Sequence, residues 1–274
     1  MIAMAPAQHR PVQAVKRFIR SPKGYLLVAL ALLTVVGAQA EGVALVEPGI
    51  VGAVVAAALT DVILIRLRTG GWEFPSGAIL TGLIVALVLA PQEPVNVPIA
   101  TAVLAVASKY LFRTRWSNVF NPAALALIVA ATIFGSGESW WGGLADLPVP
   151  LILLLLATGL VVADHVNKLP MVLVFLGSYV ALFAASAFLG DPARVAEIFR
   201  PPDVNAALFF AFFMLDDPPT CPVRYPDQIW FGLIVAVVSF AVFSTIGTDY
   251  YLLVGLLVGN AWETLRRLEQ RPKA

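Results

Sequence analysis

The feature that most constrains this chain is a succession of apolar segments separated by short polar or proline-containing stretches. Roughly 20 apolar residues span a bilayer, and somewhat fewer suffice for a short helix. Ten such segments lie at about residues 24–40, 48–66, 76–90, 97–113, 122–136, 147–163, 169–189, 203–216, 228–246 and 249–265. The pattern predicts an all-α polytopic membrane protein with about ten transmembrane helices.

Composition agrees with a membrane setting and limits the partners. The chain is 59% hydrophobic and only 13% charged, whereas a soluble domain carries about 25% charged residues. Its net charge of +1 argues against nucleic acid as a partner. The lipid bilayer is therefore the first predicted partner.

The cysteine and histidine content restricts the cofactors. Cys221 is the single cysteine, which excludes an internal disulfide and an iron–sulfur cluster held by cysteines. His9 and His165 are the two histidines, and they cannot make the paired ligands of buried b-type haems. A redox cofactor would then be flavin-like or quinone-like, or would be bound in another way.

Lysine and arginine placement predicts the orientation. With the N-terminus in the cytoplasm, every Lys and Arg except Arg194 and Arg200 falls in a cytoplasmic segment, as the positive-inside rule requires. A missed or added helix would invert the downstream loops and destroy this distribution. We therefore expect a bacterial inner-membrane protein with a basic cytoplasmic segment at 1–23, one transmembrane domain at 24–265 and a cytoplasmic tail at 266–274.

The first apolar segment has a second interpretation. A basic region, an apolar run and then Ala38-Gln39-Ala40 before Glu41 also resemble a signal peptide with its cleavage site. Cleavage there would leave nine helices with the same orientation.

The two halves of the chain look related. The segments "SGAILTGLIVALVLAPQEP" (76–94) and "AALFFAFFMLDDPPTCP" (206–222) each end in an acidic, proline-rich turn, and each precedes two further apolar segments. Five spans per half is an odd number, which predicts inverted repeats at about 24–136 and 147–265. Such repeats are typical of transport folds, which bind their substrates near the repeat interface.

Three segments contain the candidate site residues. In the first, at 75–91, Pro75 and Ser76 suit a helix start, and Ser76 and Thr81 offer hydroxyl groups to a ligand. In the second, at 113–125, the side chain of Asn121 before a proline is explained as a helix cap. A helix cap does not explain Asn118. Two amide side chains beside a helix start can also bind an anion or the edge of a flavin.

The third segment, "FFMLDDPPTCP" at 212–222, places Asp216 and Asp217 at the end of an apolar segment. These acids either stop a helix in water or mark an ion path, since acids are unfavourable at a helix C-terminus and costly at a membrane edge. We expect Thr220 to hydrogen-bond within the turn. Cys221 is interpreted as a small filler.

Two further acids are weaker candidates. Glu263 lies three residues after Asn260 on one helical face and just before two arginines, which suggests a surface ion pair. It is nevertheless retained as a candidate for the ion path. Asp61 is explained by a pair with Arg66 on the same helix.

These three segments, in this order, resemble the membrane-subunit family that includes NqrB of the sodium-translocating NADH:quinone reductase and RnfD of the Rnf complex. The family patterns S-x-A-x-x-T-G-L-x-L-A-L-x-L-P, N-x-F-N-P-A and F-F-M-x-x-D-P-x-T-x-P read here as "SGAILTGLIVALVLAP", "NVFNPAA" and "FFMLDDPPTCP". The likeness covers roughly residues 50–265. It implies two five-helix repeats with a urea-channel-like fold, electron transfer through flavin coupled to cation translocation, and flavoprotein or membrane redox partners. It carries over Ser76, Thr81, Asn118, Asn121, Asp217 and Thr220 as family positions.

One departure from the family concerns the flavin. Flavinylated members attach FMN to the threonine of an S-G-A-T motif, and the corresponding stretch here, about 137–203, has none. The "SGAI" at 76–79 ends in Ile79, which has no hydroxyl group. We therefore expect noncovalent FMN or riboflavin. The alternatives are a cofactor-free channel or transporter for a small solute, a membrane component of an enediyne-type natural-product pathway, or an anchor for a soluble oxidase.

Overall fold

The computed structural model describes residues 17–115, 117–145, 147–189, 193, 196, 198–200 and 203–270. Within these ranges the chain is all-helical and forms no β-strand. Ten α-helices have both ends in the described residues: α1 (Pro22–Glu41), α2 (Val43–Thr69), α3 (Ser76–Val88), α4 (Asn96–Leu111), α5 (Pro122–Phe134), α6 (Ile152–His165), α7 (Leu169–Leu189), α8 (Asp203–Phe213), α9 (Tyr225–Thr245) and α10 (Tyr251–Glu269).

Each of these helices overlaps one of the ten apolar segments. Four of the described helices, α1, α2, α7 and α9, are long and apolar enough to cross a membrane. Five shorter apolar helices, α3, α4, α5, α6 and α8, contain 11 to 16 residues. This set of helices is compatible with a multi-pass membrane protein.

Helix α8 ends earlier than the sequence predicts. Its last residue is Phe213, so Asp216 and Asp217 lie in the following turns and not at the helix end. The N–H groups of Met214 and Leu215 both donate to the carbonyl of Phe210, at 3.0 and 2.9 Å. The bond from Leu215 reaches back five residues and so widens the last turn, as in a π-turn. Two prolines that lack N–H donors follow, and the helix does not continue.

Local sequence explains several helix ends. The side chain of Ser21 accepts from Gly24 N at 3.2 Å and caps α1, and a proline occupies the first turn. Asn121 caps α5 in the same way, as predicted, by accepting from Ala124 N at 3.0 Å. Gly70 and Gly135 adopt left-handed conformations, with φ of 69° and 65°, where α2 and α5 end. These are the residues that helix termini prefer.

The helices pack in two similar sets. In the first half α2 packs against α3 and α4, and α4 against α5. In the second half α9 packs against α7 and α10. The contacts α1–α6 and α5–α10 join the halves. Close approach depends on small residues: a Cβ on Gly82 of α3 would lie 2.8 Å from the carbonyl oxygen of Ala53 in α2.

A buried loop follows α5 and inserts between α1, α3 and α8. The indole of Trp141 contacts Gly37 of α1, and its Nε1 donates to the carbonyl of Ala86 in α3 at 2.8 Å. The amide of Asn205 in α8 donates to the carbonyl of Gly143 at 2.7 Å. Trp140 and Leu144 adopt φ of 53° and 61°, strained values for such large side chains. Contacts from three helices hold the loop in this conformation.

Candidate functional site

A cavity of about 480 Å³ lies where α1, α3 and α5 begin and where the turn after α8 follows its helix. We call it the polar cavity. Its walls are mainly apolar, and its polar lining residues are Lys23, Thr81, Lys109, Asn118, Asn121, Asp216 and Asp217. All three segments predicted from the sequence therefore contribute to one space, although they are separated along the chain.

Helix α3 supplies one wall of the cavity. Thr81 lines it, and its Oγ1 donates to the carbonyl of Gly77 at 2.8 Å. Lys109 of α4 reaches the same carbonyl with its Nζ at 3.1 Å. Ser76 begins α3 and is partly exposed, but it is not among the lining residues. Of the two hydroxyl groups predicted here, the cavity therefore includes that of Thr81.

The start of α5 supplies the second wall. Asn121 is buried and uses its whole amide within the protein, because Nδ2 donates to the carbonyl of Met214 at 3.1 Å while Oδ1 caps the helix. Asn118 lines the same wall and is partly exposed. The interpretation of Asn121 as a helix cap is thus confirmed. Asn118 is the more accessible of the two amides.

The turn after α8 supplies the acids. Asp216 is 4% exposed, and its Oδ2 is buried without a hydrogen-bond partner among the described residues. Asp217 is partly exposed and accepts from Thr220 Oγ1 at 3.1 Å. Thr220 is buried behind Asp217 and does not line the cavity, although it stabilises the turn as predicted. The unpartnered oxygen of Asp216 can accept from a ligand or bind a cation.

The charges of the cavity offset one another. Burial raises the pKa of Asp217 above its ordinary value, while the Thr220 hydrogen bond and the charges of Lys109 and Lys23 lower it in part. Two lysines therefore face two aspartates across a space with apolar walls. Such an arrangement suits a ligand with both donor and acceptor groups.

A buried network on α10 supports the cavity wall. Asn260 is fully buried, and its Oδ1 accepts from Asn121 N at 2.8 Å. Its Nδ2 donates to the carbonyl of Thr220 at 3.2 Å. One side chain therefore connects the start of α5 to the turn that carries the aspartates.

Glu263 does not line the cavity, but through Arg267 it is connected to the turn that carries the two aspartates. It accepts from Arg266 Nε at 2.8 Å and from Arg267 Nε at 2.6 Å. Arg267 also donates to the carbonyls of Pro219 and Cys221, at 3.1 and 2.7 Å. The predicted ion pair is confirmed, but the predicted surface position is wrong, because Glu263 is 1% exposed. Its pairing with two arginines makes it a structural anchor of the turn.

Two lysines of the site were not among the residues predicted from the sequence. Lys23 and Lys109 contribute to the sequence prediction only through the orientation of the helices, although a lysine inside an apolar helix is a signal that marks Lys109 as a candidate. Outside the cavity lining, Asp61 accepts a hydrogen bond from Tyr110 Oη at 2.8 Å and does not pair with Arg66 as predicted. Arg66 instead lies over the ring of Trp72.

The other end of α3 borders a second, smaller cavity of about 320 Å³. It is lined mainly by apolar residues of α2 and of the segment between α3 and α4, and by Gln92 and Glu93. None of the predicted site residues lies there.

Metal binding has no candidate cluster in this part of the molecule. Among the residues that the structure describes, no group of three or more His, Cys, Asp or Glu side chains is placed to hold a metal ion.

Comparison of the chain with protein-family models finds no match, and comparison with curated proteins finds none either.

Proposed function

We propose that this chain is the membrane subunit of an NqrB/RnfD-like electron-transport system and that the polar cavity binds a noncovalent flavin. The observation that carries the proposal is the meeting of three separate motif segments at one cavity, through Thr81, Asn118, Asn121, Asp216 and Asp217. Thr81, Asn118, Asn121 and Asp217 match positions of the family motifs, and Asp216 precedes Asp217 in the third segment. Their convergence is the relation expected of one binding site.

The cavity has the size and chemistry for a flavin ring. Small-molecule sites enclose about 300–1,000 Å³ and combine apolar walls with a few polar groups, and the polar cavity has about 480 Å³. Leu80, Ile84 and Phe213 offer apolar surface to the ring system. The unpartnered Oδ2 of Asp216 offers an acceptor to the polar edge of the ring.

Charged groups at the cavity suit the phosphate of FMN. Lys23 is exposed in the first turn of α1, at the positive end of the helix dipole, which also favours an anion. Lys109 is a second cation in the lining. A bound flavin would supply electron transfer in steps of one or two electrons. The residues of this chain bind it, orient it and surround it with apolar side chains.

Cation movement is the second part of the proposal. Asp216 and Asp217 are the acids of the cavity, and Asp217 is partly exposed. A cation entering the cavity would meet these carboxylates and the competing charge of Lys109. Glu263 contributes indirectly, because Arg267 ties it to the turn that carries both aspartates.

The helix contacts support a membrane domain of two inverted repeats, with ten spans and both termini in the cytoplasm. The pair α2–α4 of the first half corresponds to α7–α9 of the second, and α4–α5 corresponds to α9–α10. The contacts α1–α6 and α5–α10 then join equivalent helices, as a two-fold relation requires. On this topology the polar cavity opens toward the cytoplasm, where a flavoprotein partner would exchange electrons.

A second candidate function is a channel or transporter for a small polar solute. The lysines and aspartates that face one cavity offer donors and acceptors to a neutral solute as well as to a flavin. The inverted-repeat topology suits this function equally, because fold alone does not decide function.

A flavin absorbance spectrum and a solute-flux assay distinguish the two functions. The protein would be purified in mild detergent from cells supplied with riboflavin, and its absorbance and fluorescence recorded before and after acid precipitation. We expect a flavin spectrum whose colour moves into the acid supernatant. Colour that stays in the pellet would contradict noncovalent binding. A colourless protein that conducts a small solute in proteoliposomes would favour the channel.

A further inference from the structure

Outside the polar cavity, the carboxyl group of Glu138 is buried in an unusual environment. This residue belongs to the buried loop after α5 and pairs through its backbone with Leu89, just beyond the C-terminal end of α3. Both carboxyl oxygens are buried, and neither has a hydrogen-bond partner among the described residues. An ionised carboxylate in such a position would lose its hydration without compensation.

The backbone around Glu138 is firmly held. Ala90 N donates to the carbonyl of Gly137 at 2.9 Å, and Ser139 N and Trp140 N donate to the carbonyl of Val88 at 2.9 and 3.1 Å. Gly137 N donates in turn to Glu93 Oε1 at 2.7 Å. These four bonds fix the segment against the end of α3. The burial of the carboxyl group is therefore imposed by the fold.

The surrounding charges disfavour an anion at this position. The C-terminal end of α3 carries the negative end of the helix dipole, and Glu93 is an acid on the segment that follows it. Asp249, in the loop between α9 and α10, adds a further negative charge. Burial is the largest cause of the raised pKa of Glu138, which is about 8. The side chain of Trp140 offsets this effect in part, although it makes no hydrogen bond of ordinary geometry, and Asp249 increases it.

Glu138 and the polar cavity lie at opposite ends of one short helix. Helix α3 has 13 residues, which corresponds to about 20 Å. Its first turns line the polar cavity, and its last residues contact the Glu138 loop. Trp140, Trp141 and Phe209 are buried beside the C-terminal half of α3 and fill the space there with aromatic side chains.

We propose that Glu138 is a proton-binding site that exchanges with the aqueous phase on the side of the membrane opposite to the polar cavity. This deepens the proposed function, on which it rests, by naming the proton as the ion taken up or released at that side. The step is a simple protonation: a proton from water forms an O–H bond with a carboxylate oxygen, and nothing is oxidised or reduced. Asp249, exposed in the loop between α9 and α10, is a charged group of another element that acts on this equilibrium. Glu93 accepts from Gly137 N and so lies beside the same segment.

Infrared spectroscopy of the full-length protein tests this proposal directly. The carbonyl stretch of protonated carboxyl groups would be followed as a function of pH in the wild type, Glu138→Gln and Glu73→Gln. Glu73 is an exposed glutamate and serves as the matched control. We expect a band that is lost with a midpoint near pH 8, is absent in Glu138→Gln and is unchanged in Glu73→Gln. A band with that midpoint that persists in Glu138→Gln, or a wild type in which no protonated carboxyl band is lost near that pH, would overturn the proposal.

A second variant and a change of cation complete the test. Asp249→Asn removes a neighbouring negative charge at an exposed position, so it should move the midpoint to lower pH, and an unchanged midpoint would contradict the assignment. This variant keeps the proposal testable if Glu138→Gln does not fold. The titration would also be repeated with sodium in place of choline. A midpoint independent of sodium supports a proton site, and one that falls as sodium rises would overturn it in favour of a sodium site.

The infrared result and the flavin result are distinguishable. The titration of Glu138 needs no bound flavin and no electron donor. A colourless protein with a titrating Glu138 would contradict the flavin proposal alone. A yellow protein without that titration would contradict the proton site alone.

Discussion

Asn121 and Asn260 are 139 residues apart in the sequence, yet the main-chain N–H of Asn121 donates to Oδ1 of Asn260 at 2.8 Å. Since Asn260 also donates to the carbonyl of Thr220, its amide joins two of the three segments that form the polar cavity. The integrity of the cavity should therefore depend on a residue that does not line it.

Asn260→Ala should destabilise the protein by about 2–4 kcal/mol, because it leaves two buried backbone groups without partners at about 1–3 kcal/mol each. The free energy of unfolding would be measured in mixed detergent–SDS micelles. Asn96→Ala, at an exposed position on α4, is the control and should change stability by less than about 0.5 kcal/mol. Equal stabilities for the two variants would show that the Asn260 network contributes nothing.

Arg267→Gln should loosen the turn that carries Asp216 and Asp217. The variant loses the bond to Glu263 and the bonds to the carbonyls of Pro219 and Cys221. Breaking a fully buried ion pair costs about 3–5 kcal/mol. Because Glu263 keeps Arg266 and Arg267 is partly exposed, we expect a smaller loss, of about 1–3 kcal/mol.

The same unfolding measurement tests the Arg267 prediction, with Arg224→Gln as the control at an exposed position. Proteolysis of the native protein offers a second readout, since a loosened turn should be cut faster. An Arg267→Gln protein as stable and as resistant as the control would refute the anchoring role of Glu263.

Lys23→Gln should weaken FMN binding more than riboflavin binding. Lys23 is exposed at the mouth of the polar cavity, and only FMN carries the phosphate that its charge would attract. An exposed ion pair contributes about 0.2–1 kcal/mol, so the Kd for FMN should rise by roughly 1.4- to 5-fold. Fluorescence quenching titrations of both flavins would measure this. Equal effects on the two flavins would exclude a phosphate site at Lys23.

Glu138→Gln should change how stability depends on pH. A carboxyl group whose pKa is raised in the folded state to about 8 stabilises the protein fully below its unfolded value of about 4.3. That contribution is lost as pH rises toward 8, because the unfolded chain ionises first. The thermal midpoint of the wild type should therefore fall relative to that of Glu138→Gln between about pH 4.5 and 8 and run parallel to it above that range. Parallel curves throughout would contradict the raised pKa.

The features predictable from the sequence are those written in local patterns. Runs of apolar residues located the ten helices, and the Asn121-Pro122 pair specified a cap that involves only neighbouring residues. The hydrogen bond of Thr220 within its own turn was predictable for the same reason. Such features need no knowledge of how distant segments pack.

The features that the sequence did not reveal depend on tertiary packing. Tyr110 bonds to Asp61 from another helix, and Lys109 reaches the start of α3. The pairing of Glu263 with its arginines follows from helical spacing, but its burial depends on the contact of α10 with the turn after α8. Glu138 reads as an ordinary loop acid, and its buried carboxyl group results from insertion of the loop between helices.

The central claim is that the polar cavity binds a flavin, and two adjacent valines on α6 test it most directly. Val162 lines the cavity and is 2% exposed, whereas Val161 is 48% exposed on the outer side of the same helix. Phenylalanine at 162 would occupy part of the cavity, and phenylalanine at 161 would not. Flavin content per protein would be measured for the wild type, Val162→Phe and Val161→Phe after identical gentle purification. We expect the wild type and Val161→Phe to hold close to one flavin each and a folded Val162→Phe to hold almost none. Equal flavin content in all three proteins would contradict the claim that the polar cavity is the flavin site.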